Sequence, residues 1–208
     1  MDDMYNSISK QPKMKERICH DGMGLLHHRI IDLFHEEKLG FVSDIPAADG
    51  RLARCLAGLG FVIVCGDIDT SRQCNELRWV RLNLNHRWPY RDECFDYVIC
   101  TEGVEHLENP WHLIREAKRV LKVGGKLFLS TPNILSIKSR LSGLLYGFPN
   151  YFHYMIERDS RSPQELSVDH INPIGFLELR RILARNGFFI ERITPNRYQK
   201  KYSLWYRL

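Results

Sequence analysis

The sequence predicts an α/β fold: a doubly wound, mostly parallel sheet of seven strands with helices on both faces. Three observations carry this. Short runs of apolar, β-branched and aromatic residues recur along the chain. Segments with helical periodicity, roughly ten to fifteen residues long, separate most of them. Gly, Pro, Asn and Asp mark most boundaries. Strands alternating with helices require right-handed crossovers, and strands buried on both faces read as continuous apolar runs.

Residues 1–22 are polar and read as a flexible N-terminal arm, so the single domain is expected over 23–208. Residues 23–38 carry Leu25, Leu26, Ile30, Ile31 and Leu33–Phe34 at helical spacing. A short strand, F-V-S-D-I-P, then stops at Pro46, and a helix runs from near Asp49 to Gly60. Residues 61–69 form a second, fully buried strand. A short helix over 70–78 and a third strand over 79–84 follow. The fourth strand is 94–100, preceded by the turn-like W-P-Y-R-D-E. A helix over 109–122 has Pro110 in its first turn, where a missing N–H costs nothing. The fifth strand is 126–131. Helices over 134–147 and 173–186, a sixth strand over 188–194 and a seventh over 202–208 complete the order. The aromatic-rich stretch 148–172, together with the helix before it, reads as a lid or insertion at about 134–172.

Bulk composition excludes several classes. The chain has 208 residues, 44% hydrophobic and 26% charged, as an ordinary globular domain does. No apolar run reaches the roughly 18 residues of a membrane span, and the N-terminus lacks a secretory apolar core. A cytoplasmic protein is expected, as a monomer or homodimer. The six cysteines form no C-x-x-C pair, and the nine histidines show no zinc-type spacing, so neither a disulfide framework nor a metal is expected. Net charge is +5, with no compact basic run, so no nucleic-acid partner is expected. The helix at 134–147 is expected to cover the sheet edge; peripheral contact with a membrane is the less favoured alternative.

In a doubly wound sheet, ligands bind beyond the carboxyl ends of strands where the order reverses. The loop after the first strand, D-I-P-A-A-D-G at 44–50, opens into a helix. Small residues let backbone approach a ligand, and a helix N-terminus offers free N–H groups. Asp67 ends the second strand, about 20 positions on, where an acid can hold ribose hydroxyls.

This block resembles the cofactor motif of class I S-adenosylmethionine-dependent methyltransferases, an acid followed by G-x-G-x-G; the variety resembled is methyltransferase type 11. The resemblance continues through D-x-D at 67–69, F-D-Y-V-I-C-T-E-G-V-E-H at 95–106, L-K-V-G-G-K at 121–126, L-S-T-P-N at 129–133 and H-I-N-P-I-G-F-L-E-L at 170–179. It implies a Rossmann-like fold and S-adenosyl-L-methionine as cofactor. By the same resemblance, Asp44 anchors the cofactor's amino group and Asp67 the ribose. Pro46, Ala47, Ala48 and Gly50 form the loop wall, and Ile68 follows Asp67. Asn83 and Leu84 border the adenine, and Thr101 faces the methionine moiety. The sequence departs from the pattern at two glycine positions: Pro46 has no N–H to donate, and Ala48 resists positive φ. Asn83 stands where aspartate is common.

Methyl transfer to oxygen or nitrogen can require a base. His106, with an ordinary pKa near neutrality, is the first candidate; Glu105 would orient it or hold substrate. Their alternative role is to cap or stabilise the helix at 109–122. His170 is a second base candidate, or a residue pinning its loop. Tyr146, Phe148, Tyr151, Phe152 and Tyr154 could line an acceptor pocket, or simply pack. The expected activity is methylation of a small-molecule, glycan or lipid-precursor acceptor. The competing reading is a non-catalytic protein that keeps the fold. A nicotinamide oxidoreductase is disfavoured because G-x-G-x-x-G is absent after the first strand.

Overall fold

The computed structural model describes residues 24–69, 71, 73–150, 152 and 170–195. Five parallel strands form its sheet: β1 (Phe41–Asp44), β2 (Val62–Asp67), β3 (Arg78–Arg81), β4 (Phe95–Thr101) and β5 (Leu121–Ser130), in the order β3-β2-β1-β4-β5. Among the described residues five helices accompany them: α1 (Leu25–Phe34), α2 (Arg51–Gly58), α3 (Pro110–Val120), α4 (Ile137–Tyr146) and α5 (Phe176–Arg185). From β1 the chain steps outward to β2 and β3, then crosses back to β4. The loops leaving β1 and β4 therefore diverge and open a crevice between them.

Each face of the sheet has its own core. On one, Ile30 and Phe34 of α1 and Leu52, Ala53 and Leu56 of α2 pack on Val42, Ile63, Tyr97 and Ile99. Phe34 lies at its centre, with ring centroids 4.6 Å from Phe128, 5.1 Å from Phe61 and 5.3 Å from Tyr97. On the other face, Leu113, Ile114, Ala117 and Val120 of α3 and Ile182 of α5 pack on Val98 and Cys100. Alternate residues of β4 thus serve opposite cores, and every position of its centre is apolar. Fully burying side chains of this size stabilises by about 1.5–3 kcal/mol each.

The connection before β4 is fastened by α3. Arg119 donates to Trp88 O (3.0 Å), Tyr90 O (2.8 Å), Asp92 (2.7 Å) and both oxygens of Glu116 (2.9 and 2.6 Å). Glu116 in turn accepts the Trp88 N–H at 2.8 Å. Both carboxylates raise the pKa of the guanidinium and hold its charge.

Several expected elements differ. The sheet has five strands among the described residues, not seven. Residues 188–194 form no ladder with the other described residues: Phe189 and Ile193 are exposed, and ion pairs join Glu191 to Lys126 and Arg192 to Glu36. Apolar alternation makes a strand only when a neighbour supplies hydrogen bonds. The expected strand at 202–208 and the arm at 1–22 lie outside the described residues, as do Tyr151, Tyr154 and most of the lid. No helix forms among the described residues of 70–78. Asp69 accepts the Ser71 N–H at 2.9 Å, and such local side-chain bonds favour turns over helix. β3 stops at Arg81, because Asn83 accepts the Asn85 N–H at 2.9 Å and turns the chain. β5 begins five residues early, at Leu121, and its register against β4 shifts between Phe95 and Tyr97. Gly124, at φ +80°, allows the extra residues to loop out. Finally, α4 leaves Ile137, Leu141, Leu144, Leu145 and Tyr146 exposed rather than burying them over the sheet edge.

Candidate active site

Backbone hydrogen bonds shape the loop after β1. Ile45 N–H donates to Ile99 O at 2.9 Å, on the β4 side. The Ile45–Pro46 peptide is cis. Ala47 N–H donates to Gly66 O at 3.0 Å, and Gly50 N–H to Ala47 O at 2.8 Å. The loop thus rests on both neighbours of β1. Ala48, expected to resist positive φ, adopts φ +49°. Its N–H donates to Asp67 Oδ2 at 2.9 Å, and that bond offsets the strain of the left-handed region. Gly50, at φ +70°, begins α2, and a Cβ there would lie 3.0 Å from the Trp79 ring. Only glycine meets both demands.

The loop walls a cleft of about 250 Å³ at the divergence of β1 and β4. Asp44, Pro46, Ala47, Ala48 and Thr101 line it, with Leu26 and His27 of α1, Asp49, Leu52 and Glu102. Asp44 is buried, and its Oδ1 has no hydrogen-bond partner. Burial, reinforced by the charge of Asp67, pushes its pKa up to about 8. At neutral pH it therefore carries a proton, until a cation beside it restores the carboxylate. Asp67 is also buried and bonds the N–H groups of Ala48 and Asp69 (3.0 Å). Each carboxylate oxygen has a second lone pair left for a ligand.

Gly50, Asp67, Ile68, Asn83 and Leu84 do not line this cleft. Asp67 and Asn83 are neighbours, because the Leu82 N–H donates to Asp67 O at 3.0 Å and joins the ends of β2 and β3. Ile68 is exposed, and Leu84 is partly buried against the core. Sequence reasoning did not single out Glu102, Leu26 and His27 as lining. Glu102 was legible in principle, one position past Thr101. The approach of α1 to the cleft had no local signal.

Beyond β4, a 3-10 turn over Val104–His106 presents Glu105 and His106. The cap of α3 is Asn109, whose side chain accepts the His112 N–H at 3.1 Å, so Glu105 and His106 do not serve as caps. The Glu105 carbonyl instead accepts the N–H groups of Ile171 (3.0 Å) and Asn172 (2.9 Å), which draws His170 alongside. The His106 and His170 rings meet edge to face at 4.7 Å, and buried Phe152 sits 5.2 Å from His170. Glu105 is fully buried. Neither carboxylate oxygen makes a hydrogen bond of good geometry, although its own backbone and the Thr131 hydroxyl lie close enough to favour its charge. Burial, opposed by its own backbone and the Thr131 hydroxyl and aided by Glu102, pushes its pKa up to about 7. The three side chains can present one ligand atom each within 4.8 Å of one another.

Residues 43–129 match the family described as a methyltransferase domain. The ubiquinone biosynthesis O-methyltransferase of Coxiella burnetii is 30% identical over 103 residues, 44% of this chain and 43% of that protein. The 27-O-demethylrifamycin SV methyltransferase of Amycolatopsis mediterranei is 49% identical over 41 residues, 20% of this chain and 15% of that protein. The matches span less than half the length of these curated relatives. A SAM-dependent methyltransferase from Archaeoglobus fulgidus has a similar structure, with a TM-score of 0.55 at 17% identity, covering 77% of this chain and 68% of that one. At that identity it bears on the fold alone.

Proposed function

We propose, from the premise that residues 43–129 form a class I S-adenosylmethionine-dependent methyltransferase domain, that this protein methylates a hydroxyl oxygen of a small-molecule acceptor. The observation that carries the reading is Asp44. It is a buried carboxyl with one unpartnered oxygen, at the wall of a cleft where the strand order reverses. Leaving such a group unsatisfied costs about 1–3 kcal/mol, so the site favours a partner with positive charge or hydrogen-bond donors. S-adenosylmethionine has both. Oxygen is preferred to nitrogen because the two curated relatives carry O-methylation in their names.

The cofactor supplies a methyl group already activated on a sulfonium. The protein must then align, exclude water and accept a proton. Asp44 would hold the cofactor's ammonium, and Asp67 the ribose hydroxyls while still bracing Ala48. Pro46, Ala47 and Ala48 would give a low wall, with Gly50 turning the chain behind it, Ile68, Asn83 and Leu84 near the adenine and Thr101 near the methionine carbons. His106 would take the acceptor's proton, with Glu105 and His170 fixing its orientation.

Calorimetric titration with S-adenosylmethionine, followed by a screen of phenolic, sugar, lipid-precursor and amine acceptors with labelled cofactor, tests this reading. Heat of binding and transfer to a hydroxyl support it. An absence of both heat and thermal shift at millimolar cofactor overturns it. Binding without transfer to any acceptor would favour a non-catalytic protein, a reading supported by Pro46 and Ala48 in place of glycines.

A further inference from the structure

We propose that Glu105, His106 and His170 form a binding site for one divalent transition-metal cation, next to the cleft. The sequence predicted no metal, because its histidines show no ligand spacing. His170 is separated from His106 by α3, β5 and α4, and only the fold brings the two together. One carboxylate and two imidazoles are a donor set suited to zinc, iron, manganese or cobalt ions. Their ligand atoms lie within 4.8 Å of one another. Two ligand atoms bonded at about 2.1 Å to one tetrahedral ion are about 3.4 Å apart. The cluster therefore needs to contract by up to about 1.4 Å, within reach of side-chain rotation.

Glu105 supplies the second, independent observation. It is fully buried, and neither of its carboxylate oxygens makes a hydrogen bond of good geometry, with only its own backbone and the Thr131 hydroxyl close by. An ion bound there would neutralise the charge that burial disfavours. The frame is also built: Ile171 and Asn172 donate backbone N–H groups to Glu105 O, and the Asn172 side chain donates to Leu107 O at 3.1 Å. These bonds hold the His170 segment against the turn bearing Glu105 and His106, as outer-shell contacts orient ligands at metal sites.

The site adjoins the cleft through Glu102, which lines it, and through Gly103, where a Cβ would lie 2.8 Å from Pro46. On the methyltransferase reading, an open coordination position would take the acceptor's hydroxyl oxygen and lower its pKa, so that its proton passes to solvent water while the methyl moves from the sulfonium to that oxygen and S-adenosylhomocysteine leaves. His106 would then serve as a ligand, with the ion replacing it in activating the acceptor.

Protein dialysed against chelator would be titrated with Co²⁺, followed by its visible absorption, and with Mn²⁺, followed by its paramagnetic resonance signal. One ion per chain is expected. His106→Gln and His170→Gln should each raise the Kd at least about tenfold while leaving the thermal unfolding of metal-free protein cooperative. Glu105→Gln should do the same; because Glu105 is buried, the two histidine variants decide if it does not fold. No stoichiometric binding by the wild type, or equal affinity in wild type and both histidine variants, overturns the proposal. S-adenosylmethionine titrated into the same samples is a separate measurement. Metal binding without cofactor binding would defeat the methyltransferase reading and leave the metal site standing.

Discussion

The Asp67 carboxylate accepts the backbone N–H of Ala48 at 2.9 Å and so ties the end of β2 to the loop after β1. One side chain thereby shapes the loop, and on the proposed function it also holds the ribose. Asp67→Ala should lose that loop contact and cofactor binding together. Hydrogen bonds to a charged group contribute about 1.5–3 kcal/mol, so chemical denaturation should show a loss of that order, and calorimetry no cofactor heat. Equal cofactor affinity in wild type and variant would move the site elsewhere.

Ala48 is held at φ +49°. Glycine adopts that conformation without a Cβ penalty. Ala48→Gly should therefore raise unfolding free energy by about 1 kcal/mol, seen as a higher denaturant midpoint. A lower midpoint would show that the alanine methyl packs usefully in the cleft wall.

Asp44 makes stability depend on pH. Its folded pKa, about 8, lies above the ordinary carboxylate range, because burial and Asp67 favour the neutral form. Its contribution is complete in acid, where both states hold the proton. It declines as pH rises from about 4 to about 8, while only the unfolded chain ionises, at a slope of at most about 1.4 kcal/mol per pH unit. Asp44→Asn should remove that slope from denaturation curves taken across the window. A cationic ligand that draws Asp44 to its charged form should release a proton on binding below pH 8, and so bind more tightly as pH rises towards it. Calorimetry in two buffers of different ionisation enthalpy would detect that proton.

His106→Ala should leave cofactor affinity unchanged and slow transfer about 10²–10⁴-fold. Single-turnover rates with an identified acceptor would measure the loss. An unchanged rate would remove His106 from the chemistry, as base and as metal ligand alike.

Arg119→Met should destabilise the fold by about 3–5 kcal/mol, because Glu116 would be left as a poorly solvated charge and three carbonyl or carboxylate partners would lose their donor. Guanidinium denaturation is the measurement. A loss below about 1 kcal/mol would mean that the connection from Trp88 to Asp92 is held by packing alone.

Much of this protein was legible in its sequence because the signals are local. The apolar centres of β1, β2 and β4, the amphipathic α2 and α3, and Pro110 at the start of α3 each record a periodicity or a backbone preference that needs no distant partner. The positions of Asp44 and Asp67 at strand ends could be read in the same way. What required tertiary structure was pairing. Residues 188–194 have the alternation of a strand but form no ladder among the described residues, and α4 has an apolar composition but leaves it exposed. The loop at 44–50 looked a poor match at Ala48 until the Asp67 bond supplied the reason for its positive φ. By itself, the sequence determined the order of the elements and the place where a cofactor loop had to lie. Only the fold decided that Glu105, His106 and His170 meet, because their contact depends on two backbone bonds between segments far apart in the chain.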